Sequence, residues 1–489
     1  MKYSSTRDNG ERAGAAQAIL TGLAPDGGLY TPLEFPSFFL DDIKGMCGMG
    51  YAERAARIMH AFIGEDYSLD ELKGYTKAAY AGFDGCGGTK LRQITEKAYV
   101  LELWHGPTAA FKDMALQVLP YLMTGALRKC GDARECCILA ATSGDTGKAA
   151  LEGFSDVPGT RIMVFYPHNG VSEMQRLQMT TQAGSNVSVR AVCGNFDDTQ
   201  RGVKRIFADF PRDDARVFLS SANSINWGRL VPQVAYYVSA YCDLINGKTI
   251  NIGEKVSFYV PTGNFGNILA GYIAYRCGLP VEKLVCASNS NNVLTDFLSN
   301  GIYDANRPFY TTISPSMDIL FSSNVERLLY YFSGMDGRAV AKMMDKLSTE
   351  GIYSLDSAAR DEIGKLFSAG FCDEAATKAQ IRETWNEHAY LMDPHTAVAM
   401  RMYTRMPETE TPVVILSTAS PYKFSASVLD ALGRDAGTDA FDQMDALAEL
   451  SGIEPPKSLC ELRDKAERFT QVVERDDMPG ALNEFLDGI

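Results

Sequence analysis

From about residue 134 onward, short apolar runs alternate along the chain with helical patterns of ten to fifteen residues. The apolar runs are CCILAAT, RIMVFYP, NVSVRAVCG, VSFYVP and KLVCAS, and each is followed by a helical stretch such as NVLTDFLSNG. This alternation is typical of βαβ units, in which helices join parallel strands and cover the sheet. The sequence therefore predicts an α/β fold with parallel or mixed sheets flanked by helices, and ligands at the carboxyl ends of the strands.

The length of the chain, 489 residues, is enough for two or three domains. Residues 1–93 hold the turn-rich segment APDGGLYTP and several amphipathic stretches, which predict a small helical N-terminal domain. Residues 94–450 are predicted to be an α/β region of two subdomains, with a helical insertion at about 334–386. Residues 451–489 are predicted to be a polar helical tail.

The composition argues against several classes of protein. The formal net charge of −14 disfavours nucleic-acid binding, which needs a basic face. The chain contains no run of 18 apolar residues, so no membrane span is expected. The 11 cysteines form no Cys-x-x-Cys pair, which disfavours structural zinc and disulfides and indicates the reduced cytoplasm. No metal site is predicted, because the five histidines form no H-E-x-x-H motif.

Lys112 follows an apolar, charge-poor segment, LELWHGPTAAF, at the point where a helix is predicted to begin. A lysine amine is costly in such a place unless it is used chemically, because burial disfavours its charged form. Burial also favours the neutral, nucleophilic amine. The alternative is a surface lysine whose hydrocarbon stem covers apolar residues while its charge stays in water.

Two glycine-rich loops are predicted to follow strands and open helices, PTGNFGN at residues 261–267 and TSGDTGK at residues 142–148. Glycines allow backbone N–H groups to approach an anion, and the helix dipole assists. Thr142 and Ala149 stand where a Walker A loop needs glycine and Ser or Thr, and neither loop has the dinucleotide pattern G-x-G-x-x-G. Either loop alone is equally compatible with a purely structural turn. A third segment, DPHTAVAM, is predicted to start a helix with Asp393 as its cap.

A buried lysine together with a phosphate-binding glycine loop suggests a Schiff base with pyridoxal phosphate. The sequence resembles the threonine synthase family, pyridoxal-phosphate enzymes of the tryptophan-synthase-β-like fold (fold type II). The resembling pieces run in family order over most of the chain, and they are YSSTR, APDGGLYTP, LELWHGPTAAFKD, ATSGDTG, SANSINWGRL, PTGNFGN, DPHTAV and LSTASPYKF. The resemblance implies conversion of O-phospho-L-homoserine and water to L-threonine and phosphate.

The resemblance assigns roles to individual residues. Lys112 matches the family's Schiff-base lysine, and Thr418 matches the hydroxyl residue at the pyridine nitrogen of the cofactor. The cofactor phosphate is assigned to the glycine loop, which consists of Gly263, Asn264, Phe265, Gly266 and Asn267. The amino-acid end of the substrate is assigned to Ser143, Gly144, Asp145 and Thr146. The substrate phosphate is assigned to Asn223, Ser224 and Arg229.

Two positions depart from the pattern of the family and its wider fold. Asp145 stands where many relatives in the wider fold carry Asn, so the resemblance assigns Asp145 no contact with the cofactor's phenolic oxygen. Ser420 and Tyr422 stand where less bulky or different polar residues are expected, so the resemblance does not predict the local packing.

Three alternatives to threonine synthesis remain open on the sequence. A related lyase would release 2-oxobutyrate, ammonia and phosphate from the same substrate. A dehydratase acting on serine or threonine is disfavoured, because it would not need the anion site in SANSINWGRL. A non-catalytic relative that acts as a binding protein is disfavoured by the intact Lys112 and glycine loops. A monomer or homodimer is expected.

Overall fold

The structure is a computed structural model that describes residues 1–7, 10, 12–85, 87–211, 216–407 and 409–488. Over these residues the chain forms four sheets with helices around them. Within the described residues, no helix is both long and apolar enough to cross a membrane.

The described strands are numbered in chain order. They are β1 (Tyr3–Ser5), β2 (Tyr30–Pro32), β3 (Lys90–Gln93), β4 (Ala98–Glu102), β5 (Glu135–Ala141), β6 (Thr160–Pro167), β7 (Val187–Val192), β8 (Val217–Ser220), β9 (Val256–Pro261), β10 (Val281–Ser288), β11 (Ile302–Asp304), β12 (Ile352–Ser354), β13 (Phe367–Phe371), β14 (Val413–Ser417) and β15 (Val472–Val473).

The described α-helices are numbered in the same way, and short 3₁₀ turns lie at Pro315–Met317, Pro421–Phe424, Glu461–Asp464 and Arg475–Asp477. The α-helices are α1 (Ala15–Thr21), α2 (Leu40–Met46), α3 (Tyr51–Ile63), α4 (Leu69–Ala79), α5 (Asp113–Leu116), α6 (Leu119–Cys130), α7 (Asp145–Phe154), α8 (Glu173–Thr180), α9 (Phe196–Asp209), α10 (Trp227–Asn246), α11 (Gly266–Arg276), α12 (Val293–Asn300), α13 (Val325–Phe332), α14 (Gly337–Glu350), α15 (Ser357–Leu366), α16 (Glu374–His388), α17 (Pro394–Arg405), α18 (Ser425–Ala431), α19 (Ala440–Ser451), α20 (Lys457–Cys460) and α21 (Met478–Asp487).

Two larger sheets carry the fold. One has six strands in the order β13-β10-β9-β14-β4-β3, all parallel except for the antiparallel pair β3 and β4. The other has five strands in the order β15-β7-β6-β5-β8 and is parallel throughout. Their central strands are buried along almost their whole length, as expected for sheets covered by helices on both faces. The predicted α/β fold with parallel and mixed sheets is confirmed.

The segment 334–386 is not purely helical, which corrects one expectation from the sequence. It contains β13, which pairs with β10 in parallel and forms the edge of the six-stranded sheet. The N-terminal region 1–93 likewise holds the antiparallel strand pair β1–β2 and β3 besides its helices. The tail 451–489 adds the short edge strand β15 to β7 and buries Met478 and Leu482 against the five-stranded sheet. The domain boundaries themselves stay predictions.

The N-terminal segment is tied to α13 by buried polar contacts. Arg7 donates two hydrogen bonds to the carboxylate of Glu326, and the hydroxyl of Thr6 donates a third. The neighbouring side chain of Arg327 is fully buried, and burial lowers its pKa to about 10. Its guanidinium donates to the carbonyl of Tyr30 in β2, to the carbonyl of Ile225 and to the side chain of Asn324. Arg327 thus joins the N-terminal strand pair β1–β2 to the segment before α10.

Replacing Arg327 by Met should reduce the free energy of unfolding by about 2–4 kcal/mol, because three buried acceptors lose their donor. The midpoint of chemical denaturation would measure this loss. The matched control is Arg338→Met at an exposed position in α14, which should change stability by about 0.5 kcal/mol or less. Equal midpoints for the two variants would show that Arg327 does not hold the strand pair β1–β2.

Candidate active site

Lys112 lies at the end of the loop that follows β4, immediately before α5. The backbone N–H and the hydroxyl of Thr108 both donate to the carboxylate of Asp113, the first residue of α5. The N–H of Phe111 donates to the carbonyl of Thr418, which follows β14. These bonds fix the backbone on both sides of Lys112, so the position of its side chain is set by two neighbouring strands of the six-stranded sheet.

The amine of Lys112 is enclosed, as its sequence context predicted. The residue is only 9% exposed, and its Nζ lies 3.2 Å from Oδ2 of Asp145 and 3.3 Å from Oγ of Ser316. Burial lowers the pKa of the Lys112 amine below its ordinary value. The Asp145 carboxylate acts in the opposite direction, while the positive charges of Lys423 and Arg229 add to the lowering.

Asp145 is the first residue of α7 and is buried. Its Oδ1 accepts a hydrogen bond from Gln175 at 2.9 Å and lies 2.7 Å from Nζ of Lys423, while its Oδ2 faces Lys112. Burial raises the pKa of this carboxyl, but the two ammonium groups lower it further, and its pKa lies well below the ordinary value. Asp145 is therefore a carboxylate held between two lysines.

The loop between β5 and α7 is shaped by Thr142, whose Oγ1 accepts hydrogen bonds from the N–H groups of Gly144 and Gly147. Gly144 has φ of +130°, and a Cβ there would lie 2.4 Å from the Gln175 side chain. Only glycine fits this position. Ser143 and Thr146 line the cavity described below, whereas Gly144 and Asp145 lie behind them.

The glycine loop connects β9 to α11, the position predicted for an anion-binding turn. Glycines in such a loop can adopt a positive φ at little cost. The structure places the positive φ, +60°, at Phe265 instead. Gly263 is needed for another reason, because a Cβ there would lie 2.6 Å from the carbonyl oxygen of Ser316.

Asn267, in the first turn of α11, has one amide group without a partner. Its Oδ1 accepts hydrogen bonds from the hydroxyls of Tyr236 and Tyr237 at 2.6 and 3.1 Å. Its Nδ2 is buried and has no hydrogen-bond partner within the described part of the chain. An orphaned donor next to a helix N-terminus indicates a site for an anion.

Arg229, in the first turn of α10, is buried, and burial lowers the pKa of its guanidinium to about 10. Its Nη1 donates to the carbonyl of Ala222 at 2.9 Å, and no carboxylate of the described residues forms an ion pair with it. A buried cation without a counter-ion is costly, and an anionic ligand would relieve that cost. Asn223 and Ser224 lie beside it on the same cavity wall.

One cavity of about 1210 Å³ brings the predicted residues together. Its lining joins the carboxyl ends of strands from both large sheets. The predicted residues in its wall are Lys112, Ser143, Thr146, Asn223, Ser224, Arg229, Gly263, Asn264, Phe265, Gly266, Asn267 and Thr418.

Four further residues at this site were not singled out from the sequence. Ser316 faces Lys112, and its backbone N–H donates to Nε2 of His395, whose Nδ1 in turn contacts Asp393 at 2.7 Å. Asp393 caps α17, as predicted. Lys423 and Gln175 hold Asp145. Lys423 and His395 stand inside the motifs STASPYKF and DPHTAV, which could have indicated them, whereas nothing in the sequence marks Ser316 or Gln175.

The packing around Tyr422 explains one departure from the family pattern. Its hydroxyl contacts Oγ of Ser451 and donates to the carbonyl of Ile453, so the large side chain anchors the segment that follows α19. Ser420 accepts a hydrogen bond from the N–H of Tyr422 at the start of the 3₁₀ turn. Both residues are buried, and neither lines the cavity.

Three family patterns match successive parts of the chain. They are described as "Threonine synthase N terminus" at residues 2–80, "Pyridoxal-phosphate dependent enzyme" at residues 83–418 and "Threonine synthase, C-terminal" at residues 396–479. Threonine synthase of Pseudomonas aeruginosa is 40% identical over 88% of this chain and 90% of its own length. The chain belongs to the threonine synthase family.

Two further comparisons describe the extent of this likeness. A crystal structure of pyridoxal-phosphate-bound threonine synthase from Brucella melitensis has a TM-score of 0.89 and 38% identity, and the match covers 99% of each chain. Human threonine synthase-like 1 is 37% identical over 95% of this chain, which spans only 64% of the human protein's length. The predicted family, fold and pyridoxal phosphate cofactor are confirmed.

The residues present fit this cofactor. A buried lysine whose pKa is lowered suits covalent attachment to an aldehyde, and the unpartnered Nδ2 of Asn267 at the start of α11 suits a phosphate. Thr418 places a hydroxyl in the same cavity. Lys112, the glycine loop and Thr418 all line one cavity and are thus able to hold a single cofactor molecule.

Gly263→Ala should weaken the binding of pyridoxal phosphate by about tenfold or more, since the added methyl group forces the glycine loop away from Ser316. Titration of the cofactor-depleted protein, followed by absorbance, would measure the affinity. Gly74→Ala in α4 is the control, because a Cβ at Gly74 meets nothing within 4 Å. Unchanged affinity in Gly263→Ala would mean that the loop does not hold the cofactor.

Proposed function

We propose that this protein is a lyase that converts O-phospho-L-homoserine and water to L-threonine and phosphate, with pyridoxal phosphate bound to Lys112. The observation that carries the proposal is the buried guanidinium of Arg229, which has no carboxylate partner among the described residues and lines the cavity that also holds Lys112. A substrate with a phosphate group would supply the missing counter-ion. The net charge of −14 makes such a local cation necessary for an anionic substrate.

The cofactor would be held by three groups of residues. Lys112 would bind its aldehyde, the loop Gly263–Asn267 its phosphate, and the hydroxyl of Thr418 its pyridine nitrogen. When bound, pyridoxal phosphate supplies an electron sink that makes protons near the substrate's amino group removable. A hydroxyl at the pyridine nitrogen leaves that nitrogen's charge adjustable, whereas a carboxylate would favour its protonated form.

The substrate would lie between α7 and α10. The backbone at the N-terminus of α7, with Ser143, Gly144, Asp145 and Thr146, would receive its amino-acid end, because a helix N-terminus favours a carboxylate. Arg229 would hold its phosphate with paired N–H donors, and Asn223 and Ser224 would add hydrogen bonds. The distance between these two anchors would select an amino acid with a phosphate at its far end.

The overall reaction moves the oxygen substituent from the γ-carbon to the β-carbon. Phosphate leaves the γ-carbon with the bridging oxygen, the β-carbon gives up one proton and the γ-carbon gains one. Water supplies its hydroxyl group to the β-carbon and its remaining proton to the departing phosphate. Nζ of Lys112 would carry protons between these carbons. It belongs to a residue of the cavity wall, and burial lowers its pKa, which leaves the amine able to accept a proton. Arg229 would keep the phosphate charge stabilised as the bond breaks.

Product analysis tests this proposal. Purified protein given O-phospho-L-homoserine should release phosphate and L-threonine in equal amounts. Phosphate accompanied by 2-oxobutyrate and ammonia would instead identify the related lyase. Binding of pyridoxal phosphate without turnover of the phosphorylated substrate would favour a binding protein. Cytoplasmic location and a monomeric or homodimeric state stay predictions.

Lys112→Ala should abolish turnover and the visible absorbance of the covalently bound cofactor while the protein still folds, because no other residue would bind the aldehyde. Borohydride reduction of the wild-type protein followed by peptide mapping should place the cofactor on Lys112. An adduct on Lys148 or Lys423, the other buried lysines near α7, would refute the assignment.

Arg229→Ala should reduce turnover of O-phospho-L-homoserine by roughly ten- to a hundredfold or more, since a charge-assisted contact contributes about 1.5–3 kcal/mol. Slow deamination of serine, which has no phosphate, should change much less. Arg201→Ala is the control at the cavity mouth, where the side chain is 69% exposed and already paired with Asp198. Equal losses on both substrates would show that Arg229 is structural.

A further inference from the structure

Lys423 is a second buried lysine at the active site, and the proposed chemistry gives it no role. Its side chain has no exposed surface, and it lies in the 3₁₀ turn that follows β14. Its Nζ lies 2.7 Å from Oδ1 of Asp145 and donates to the carbonyl of Thr108 at 2.9 Å. A lysine is rarely buried this completely unless its charge is used.

Asp145 is shared unequally between the two lysines. Its contact with Lys423 is 2.7 Å long, whereas its contact with Lys112 is 3.2 Å long. Gln175 donates to the same oxygen as Lys423 and so holds the carboxylate in that orientation. The single negative charge is therefore engaged mainly by Lys423, which leaves the amine of Lys112 with a weaker counter-ion.

The other charged groups around Lys112 reinforce this imbalance. The buried guanidinium of Arg229, for which the described part of the chain offers no carboxylate partner, adds a second positive charge near the Lys112 amine. Asp113, on the far side, is hydrogen-bonded to Thr108, and burial raises the pKa of its carboxyl to about 6. Two positive charges, those of Lys423 and Arg229, thus act on the Lys112 amine, while its carboxylate partner Asp145 is shared with Lys423. A proton on Lys112 is therefore disfavoured by repulsion.

We propose that Lys423 is a positioning residue that keeps the amine of Lys112 unprotonated, by engaging Asp145 and by its own fixed positive charge, so that Lys112 can bind pyridoxal phosphate. The inference rests on the proposed covalent role of Lys112. In that step the nitrogen of Lys112 forms a double bond to the aldehyde carbon. The aldehyde oxygen leaves as water with the two protons of the amine, and no oxidant or reductant is needed.

The test follows the rate at which the cofactor-depleted, full-length protein attaches added pyridoxal phosphate, as a function of pH. The rate depends on the unprotonated fraction of Lys112, so its midpoint reports the protonation of that amine. In Lys423→Gln, which can still donate hydrogen bonds, the midpoint should move upward by about one pH unit. The rate below the midpoint should then fall about tenfold. Lys423→Arg keeps the charge and should retain most of the wild-type profile.

The matched control is Lys148→Gln in α7, which removes another buried lysine that is paired with a different carboxylate, Glu152. Its midpoint should equal that of the wild type. Borohydride trapping at Lys112 in the wild-type protein separates the two proposals. If no adduct forms there, the proposed function fails. If it forms but Lys423→Gln has the wild-type midpoint, only the role of Lys423 is refuted.

A purely structural role for Lys423 predicts loss of folding instead of a shifted midpoint. The reason is that its bond to Thr108 also ties the loop before Lys112 to the 3₁₀ turn. Lys423→Met is the second variant if the amide is not tolerated, and a folded Lys423→Met with the wild-type midpoint refutes the proposal equally. Loss of folding in all three variants, including Lys423→Arg, would also overturn it in favour of the structural tie.

Discussion

The carboxylate of Asp145 lies where the two large sheets meet, with an ammonium group on either side. Asp145 follows β5 of the five-stranded sheet, whereas Lys112 and Lys423 follow β4 and β14 of the six-stranded sheet. These contacts therefore join the two halves of the α/β region through charge. Removing one partner from a buried charge cluster is far more costly than the net strength of the contact suggests, because the remaining charge is left buried without a counter-ion or water around it. The shape of the cavity depends on this cluster.

The walls of the cavity are fixed by bonds between segments distant in sequence. Ser322 donates to the carbonyl of Gly263, and Asn324 donates to the carbonyl of Asn264, so the glycine loop is held from the side by the segment before α13. Arg327 then joins that segment to β2 of the N-terminal strand pair. The small N-terminal region is thereby connected to the proposed cofactor site by a continuous set of buried hydrogen bonds.

The sequence predicted the fold because short apolar runs and helical patterns alternate strictly between residues 134 and 300. The prediction failed for β13, because FSAGF is a short run between two helices and its partner strand β10 lies about 80 residues earlier in the chain. The predicted site residues stand in contiguous motifs, which is why they could be named. The electrostatic environment of Lys112 could not be predicted from the sequence, because it depends on which distant side chains come into contact. The positive φ at Phe265 was also unforeseeable, since glycine neighbours would adopt that conformation at lower cost.

The pairing of β4 with β14 has a consequence for the order in which the molecule assembles on the ribosome. Ala98 pairs with Val413, so β4 cannot pair with β14 until a further 315 residues have been synthesised. At typical rates of translation this delay is roughly 15–60 s. Strands β5 to β8 lie close together in the chain and need no such partner. We expect strands β5 to β8 of the five-stranded sheet to pair first during synthesis, with β15 added only at the end, and nascent chains that end before residue 413 to retain no cofactor.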